Sequence, residues 1–119
     1  MENEKQKLVE VAEKLRLQLQ DIQSKISRIN HASSLENAKK YIGKCYKSTI
    51  SQESKTYVYD VNTESACLKC IEVWDYEGYY EVRVRDITLY HILDDTIEIK
   101  RSEFNEAYSR AVAVFKNIL

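Results

Sequence analysis

The sequence predicts an α+β protein: a long N-terminal coiled-coil helix, a small five-stranded antiparallel sheet or barrel-like meander, and a C-terminal amphipathic helix. Three observations predict it. Leu8, Ala12, Leu15, Leu19, Ile22, Ile26 and Ile29 recur at alternating steps of four and three, the spacing of a heptad seam. From Tyr41 onward, short runs rich in β-branched and aromatic residues alternate with polar connections, as strands do. After Ser102, Phe104, Tyr108, Ala111, Phe115 and Ile118 return to helical spacing.

In the heptad, Leu8, Leu15, Ile22 and Ile29 take d positions and Ala12, Leu19 and Ile26 take a, with no Gly or Pro in the run. The helix should be continuous over a seam about 33 Å long, and so narrow a stripe buries itself only against a partner helix. The expectation is a homo-oligomer built on residues 1–32, with a small α+β domain over 33–119. Mixed Ile and Leu at the seam, and few complementary charges at Val9, Val11, Arg16, Gln18, Gln23 and Lys25, leave stoichiometry and orientation open. Folding back of the helix onto its own domain is the alternative. Val9, Val11 and Leu17 lie off the seam, which suggests more than one neighbour along the first half.

The long helix is expected to loosen at Asn30 and His31, where Ser33 with Glu36 offers a capping box for a short second helix, Leu35 to Lys40. Strands follow in YIGKCYK, in KTYVYDV at 55–61 and in ACLKCIEVWDY at 66–76. Gly78 closes a tight hairpin into the longest strand candidate, Tyr79 to Ile92. LDDT then turns into a last strand, TIEIK. Ser102 caps the final helix, which Ala107, Val114 and Leu119 widen and which packs on the sheet or beside the first helix.

Bulk properties narrow the function classes. With 18 Lys and Arg against 19 Asp and Glu, the net charge of -1 supplies no field that would draw the chain to nucleic acid or an anionic membrane. No apolar run reaches membrane-spanning length, and the polar start MENEKQK lacks the apolar core of a signal peptide. Three cysteines, an odd number, suit a reducing compartment. The expected location is the cytoplasm, and no membrane partner is expected.

Catalytic and metal chemistry find little support. Cys67 and Cys70 have zinc-ligand spacing and could join Cys45 and His91, but ACLKCIEVW reads as strand, where residues three apart point to opposite faces. His31 and His91 have no nucleophile or acidic orienter at a recognisable spacing. Gly43 and Gly78 stand apart, so no phosphate-cradling loop exists. Asp94, Asp95 and Glu98 are accounted for by turn chemistry without a cation. The expectation is a non-enzyme with no cofactor and no metal.

The strand YEVRVRD carries the strongest binding signal. Alternation puts Tyr80, Val82 and Val84 on the core face and Glu81, Arg83 and Arg85 on an open face. Arg83 and Arg85, with Lys69 nearby and exposed tyrosines such as Tyr57 and Tyr59, form the candidate partner-binding set. They could grip phosphates and stack on bases, or form a protein-binding hot spot, or simply pair with Glu72 and Glu81 across the sheet.

The order of parts, a leading heptad helix, then YIGKCYK opening a β domain, then a closing DTIEIKRSEFNEAYSRAV, resembles a loose group of short proteins encoded by bacterial phages and mobile elements. In that group an "IGKxYK" strand and an "I…EFxxAY" final helix recur. The matching residues are structural: Gly43 and Tyr46 in the first strand, and Phe104, Ala107 and Tyr108 in the helix. STISQES replaces a longer aromatic-containing loop of the group. The resemblance implies a non-enzymatic anti-defence protein, including the anti-CRISPR type, that inhibits a host factor by stoichiometric binding. A nucleic-acid-binding β module and a sponge for a small signalling nucleotide are the alternatives.

Overall fold

The computed structural model describes residues 2–51 and 53–118, with side chains through residue 116. The chain divides into two compact units, Met1–Ser33 and Ser34–Leu119. Its elements in order are α1 (Glu2–Lys39), β1 (Cys45–Ser48), β2 (Ser54–Val61), β3 (Leu68–Tyr76), β4 (Tyr79–Ile87), α2 (Leu89–Asp95), β5 (Thr96–Ile99) and α3 (Arg101–Ile118).

The α+β architecture is as the sequence predicts, with local corrections. Strand β1 begins only at Cys45, after a turn that holds Gly43, and α3 begins at Arg101, so Ser102 lies inside the helix and does not cap it. Three more concern α1, β4 and the sheet. First, α1 runs unbroken through Asn30 and His31 to Lys39, so the short second helix does not exist. A capping box starts a helix only where none is already running; with no Gly or Pro to stop it, the turn continues and Lys39 pairs with Glu36 at 3.6 Å. Second, β4 ends at Ile87, and Thr88 caps α2 by accepting the His91 N–H at 3.3 Å. Residues 88–92 are β-branched and aromatic enough to read as strand. The half-buried Leu89 and the buried Ile92, three apart, instead share one helical face. Third, the strand order β4-β3-β2-β1-β5 is antiparallel throughout and leaves β4 and β5 as unpaired edges. The sheet is therefore open and not a barrel.

Both sheet faces are packed. On one, Tyr46, Val58, Val61, Leu68, Cys70 and Ile87 meet Ala38, Ile92 and the partly buried Leu35, Tyr41 and Leu89. On the other, Cys45 and Val73 meet Phe104, Ala107 and Ala111 of α3, with Tyr57, Ile71, Tyr80, Val82 and Ile99 around them. Helix α3 thus packs on the sheet. Its core stripe is Phe104, Ala107 and Ala111, whereas Tyr108 and Phe115 stay 42% and 39% exposed. Leu119 lies outside the described residues, as does the side chain of Ile118.

The hairpin between β3 and β4 is tight. Tyr76 lies opposite Tyr79, and the two loop residues, Glu77 and Gly78, both have positive φ (52° and 95°). This is the mirror-image turn that matches strand twist, which explains the glycine. Asp75 Oδ1 accepts the Gly78 N–H at 3.2 Å. A bulge at Tyr59 interrupts the ladder of β2 with β3 between Val58 and Asp60.

Candidate functional site

Two features stand out, one in each unit. In the first, the seam side chains face solvent in the single chain: Leu8 is 70% exposed, Leu15 59%, Leu19 56%, Ile22 53%, Ile26 51% and Ile29 68%. The heptad continues with Ser33 and Glu36 at the next a and d positions, so the apolar stripe ends at Ile29. Glu13–Arg16 and Asp21–Lys25 pairs, at 2.6 and 3.2 Å, lie along the same helix. Arg16 donates to Glu13 and holds that carboxyl below its ordinary range.

In the second unit, the site lies on the α2 face of β3 and β4. Pairing sets Glu72 opposite Arg83 and Trp74 opposite Glu81, and in a strand every second residue shares a face. Glu81, Arg83 and Arg85 therefore stand beside Cys70, Glu72, Trp74 and Tyr76. Arg83 Nε and Nη2 donate to Glu81 at 2.8 and 2.9 Å. These bonds hold the Glu81 carboxyl below its ordinary range and raise Arg83. The Arg83 guanidinium also sits 5.4 Å from the Trp74 ring centre. Trp74 stacks on Tyr76 at 5.8 Å, and Tyr76 meets Tyr79 at 6.5 Å, an aromatic ladder that reaches solvent at the 69%-exposed Tyr79.

Beside it, a cleft of about 180 Å³ is lined by Ser54, Thr56, Glu72, Trp74, Arg85 and His91 among others. Glu72 is 3% exposed, and Arg85 grips it with a forked pair of hydrogen bonds, Nε to Oε1 and Nη2 to Oε2, the second at 3.2 Å. A carboxylate this far from water needs that cation. The Trp74 Nε1–H is buried without a hydrogen-bond partner. His91 Nδ1 lies 3.0 Å from Asp95 Oδ2, one turn along α2.

The sequence-predicted partner set is not brought together. Arg83 and Arg85 share the face just described, which is the inner face of a packed sheet at its rim and not an open one. Lys69 lies opposite Asp86, and Tyr57 opposite Ile71, so both are on the α3 face. There Tyr57 packs 5.6 Å from Phe104 and 4.6 Å from the Arg101 guanidinium. Tyr59 sits at the bulge, 39% exposed. Of the three valine-face residues of β4, Tyr80 and Val82 join the α3 cluster while Val84 is 66% exposed. Of the two cross-strand pairs expected, Arg85 with Glu72 forms between β4 and β3, whereas Arg83 pairs with Glu81 two residues back on its own strand.

Sequence reasoning missed the Trp74–Tyr76–Tyr79 ladder, although 74 and 76 alternate onto one face and the Gly78 turn returns 79 beside them. It also missed the approach of His91 to Asp95, because a four-residue spacing brings side chains together only on a helix. Cys45 and Cys70 belong to opposite faces of the sheet and cannot share an ion. Among the described residues no group of three metal-ligating side chains is present, and no helix is long and apolar enough to cross a membrane.

No family model, no curated protein and no solved structure matches this chain.

Proposed function

We propose that this chain is a non-catalytic binding protein that self-associates through α1 and engages a macromolecular partner stoichiometrically through the aromatic and arginine surface of β3 and β4. The observation that carries the partner surface is the stacked Trp74, Tyr76 and Tyr79 with Arg83 laid over the indole. Trp, Tyr and Arg are the residues that dominate protein-binding hot spots. Neither arginine is a free cation for phosphate, since both are engaged by carboxylates, and a net charge of -1 adds no pull toward nucleic acid. A protein is accordingly the partner of choice. That it belongs to a host defence system is the contribution of the likeness of IGKCYK and EFNEAY to phage-encoded chains.

Support for a non-catalytic role comes from the two buried cysteines. Burial pushes the Cys70 thiol up to about 12 and raises Cys45 as well, so neither supplies a thiolate at neutral pH. The immobilised protein, challenged with a bacterial lysate, should retain a protein in fixed molar ratio. Tyr79→Ala and Arg83→Ala should each release it without loss of fold. Capture abolished by nuclease would make nucleic acid the partner and overturn the reading.

A second reading is favoured by one specific observation, the buried and unpartnered N–H of Trp74, a residue that lines the mostly apolar cleft: a small ligand that seats in the cleft and brings an acceptor to that N–H. Trp74 is the chain's one tryptophan. Quenching or a spectral shift of its fluorescence on addition of nucleotides would support this reading, and a flat titration would remove it.

A further inference from the structure

The β4 edge is long for an unpaired one. It spans nine residues, Tyr79–Ile87, and contains no Pro, Gly or Lys. Natural sheets usually blunt such an edge or cover it, because its free N–H and C=O groups template the addition of another strand. The backbone parity of β4 follows from the ladder. Asp75 donates its N–H to Glu53 C=O on the β2 side, so odd-numbered residues of β3 address β2 and even-numbered ones address β4. The pairing of Glu72 with Arg83 and of Trp74 with Glu81 then turns Glu81, Arg83 and Arg85 inward. Tyr80, Val82 and Val84 are left with their peptide groups on the open edge.

We infer that β4 pairs antiparallel with β4 of a second copy of this chain, in the register that sets Val82 opposite its own counterpart. Only registers that match outward residues to outward residues can close the ladder, and the side chains choose among them. Centring on Val82 sets Glu81 opposite the partner's Arg83, Tyr80 opposite the partner's Val84, and Tyr79 opposite the partner's Arg85, each twice by the two-fold axis. Centring on Arg83 opposes two arginines, centring on Glu81 opposes two glutamates, and centring on Val84 opposes Arg83 to Arg85 and Val82 to Asp86. Like charges directly opposite one another destabilise a sheet, while opposite charges and aromatic to β-branched pairs stabilise it. The Val82 register is the one of these four with no like-charge pair.

The same register covers Val84, which is 66% exposed in the single chain, with the tyrosine ring of the second copy. It also leaves Trp74 and Tyr76, one strand further in, uncovered in both copies. The contact is isologous, so it closes as a two-fold pair and does not by itself propagate. It involves none of the α1 seam residues, and its failure would leave the proposed function standing.

The test is made in full-length chains carrying Leu19→Asp and Ile26→Asp, so that helix association does not mask the result. Light scattering should give twice the chain mass for this parent and a single mass after further Glu81→Arg or Arg83→Glu, each of which opposes like charges across the two-fold. Mixing these two single-mass proteins should restore the double mass, because an arginine at 81 then meets a glutamate at 83 in the other copy and the reverse. A role of the pair within one chain cannot be rescued by mixing. Val84→Pro removes an outward N–H that no strand of the same chain uses. It should therefore abolish the dimer while circular dichroism and the melting transition remain. A single mass for the parent, persistence of the dimer in either charge variant or in Val84→Pro, or no association on mixing would overturn the inference; the charges of β4 would then serve to guard a solitary edge.

Discussion

Leu19 and Leu68 are the same residue in two different situations. Leu68 is 0% exposed in a sheet face closed over by α2 and the end of α1, whereas Leu19 is 56% exposed on a heptad seam. The β unit finishes its own core on both sides of the sheet. The helix unit has an apolar stripe of comparable quality and nothing of its own to cover it. Alternation gives each sheet face of the β unit a second layer, whereas the heptad stripe stays exposed in the single chain, and that exposure is the ground for the association proposed above.

The largest contrast should come from Leu→Ala at these two positions. Leu68→Ala removes fully buried methyl groups and should cost about 2–5 kcal/mol of folding stability, independent of protein concentration, in a urea titration. Leu19→Ala should leave the β unit's urea midpoint unchanged and make the helix signal at 222 nm concentration-dependent. Equal effects from both variants would break the distinction.

Arg83 and Arg85 sharpen it within the β unit. They look equivalent in the sequence, two outward arginines on one strand, but Arg85 neutralises a carboxylate that is 3% exposed and Arg83 neutralises one that is far more exposed. Arg85→Ala should cost about 2–3 kcal/mol, toward the low end for an orphaned buried charge because Arg85 itself is half in water. Arg83→Ala should leave stability nearly unchanged, because the Glu81 carboxylate it would orphan reaches water. Chemical denaturation of the two variants side by side decides the point, and for this reason Arg85→Ala is not a clean probe of partner binding.

Alkaline titration should separate the units more gently. Burial raises Tyr46 from 10.0 to about 12 and Cys70 from 9.0 to about 12. Between those limits the unfolded chain loses protons that the folded chain keeps, so stability is intact below pH 9 and falls as pH rises toward 12. The slope should be about 1.4 kcal/mol per pH unit for each group. Cys70→Ala should reduce the part of the slope that starts at pH 9, with Cys45 supplying the remainder, and leave the part that starts at pH 10. The helix seam carries no such group and should keep its association across the same range.

Much of the fold was legible because its signals are local. The heptad from Leu8 to Ile29, the alternation in KTYVYDV and CIEVW, and the glycine of the two-residue turn each specify one element. Helix α2 was not, because Thr88, Tyr90 and Ile92 have strand propensity and only the Thr88 cap and the packing of Leu89 and Ile92 override it. The candidate site was half legible. Alternation put Arg83 and Arg85 on one face and offered Glu72 and Glu81 as their partners. Lys69 could have been excluded, since counting back from Tyr76 opposite Tyr79 sets it opposite Asp86. Tyr57 could not, because the connection between β2 and β3 is irregular and its ladder contains a bulge, so the sequence does not set which face of β3 Tyr57 joins.

In the proposed function α1 is half of an interface. The most direct measurement is the solution mass of the wild-type chain beside its Leu19→Asp, Ile26→Asp variant, by light scattering across a dilution series. Each buried Leu or Ile contributes about 1.5–3 kcal/mol, so losing two from each helix should raise the dissociation constant by at least about a hundredfold. The wild type should have a mass that is a multiple of 14.0 kDa, and the variant a smaller multiple at the same concentration. A wild-type mass of 14.0 kDa throughout the series, or one that the two aspartates leave unchanged, would contradict the proposed interface.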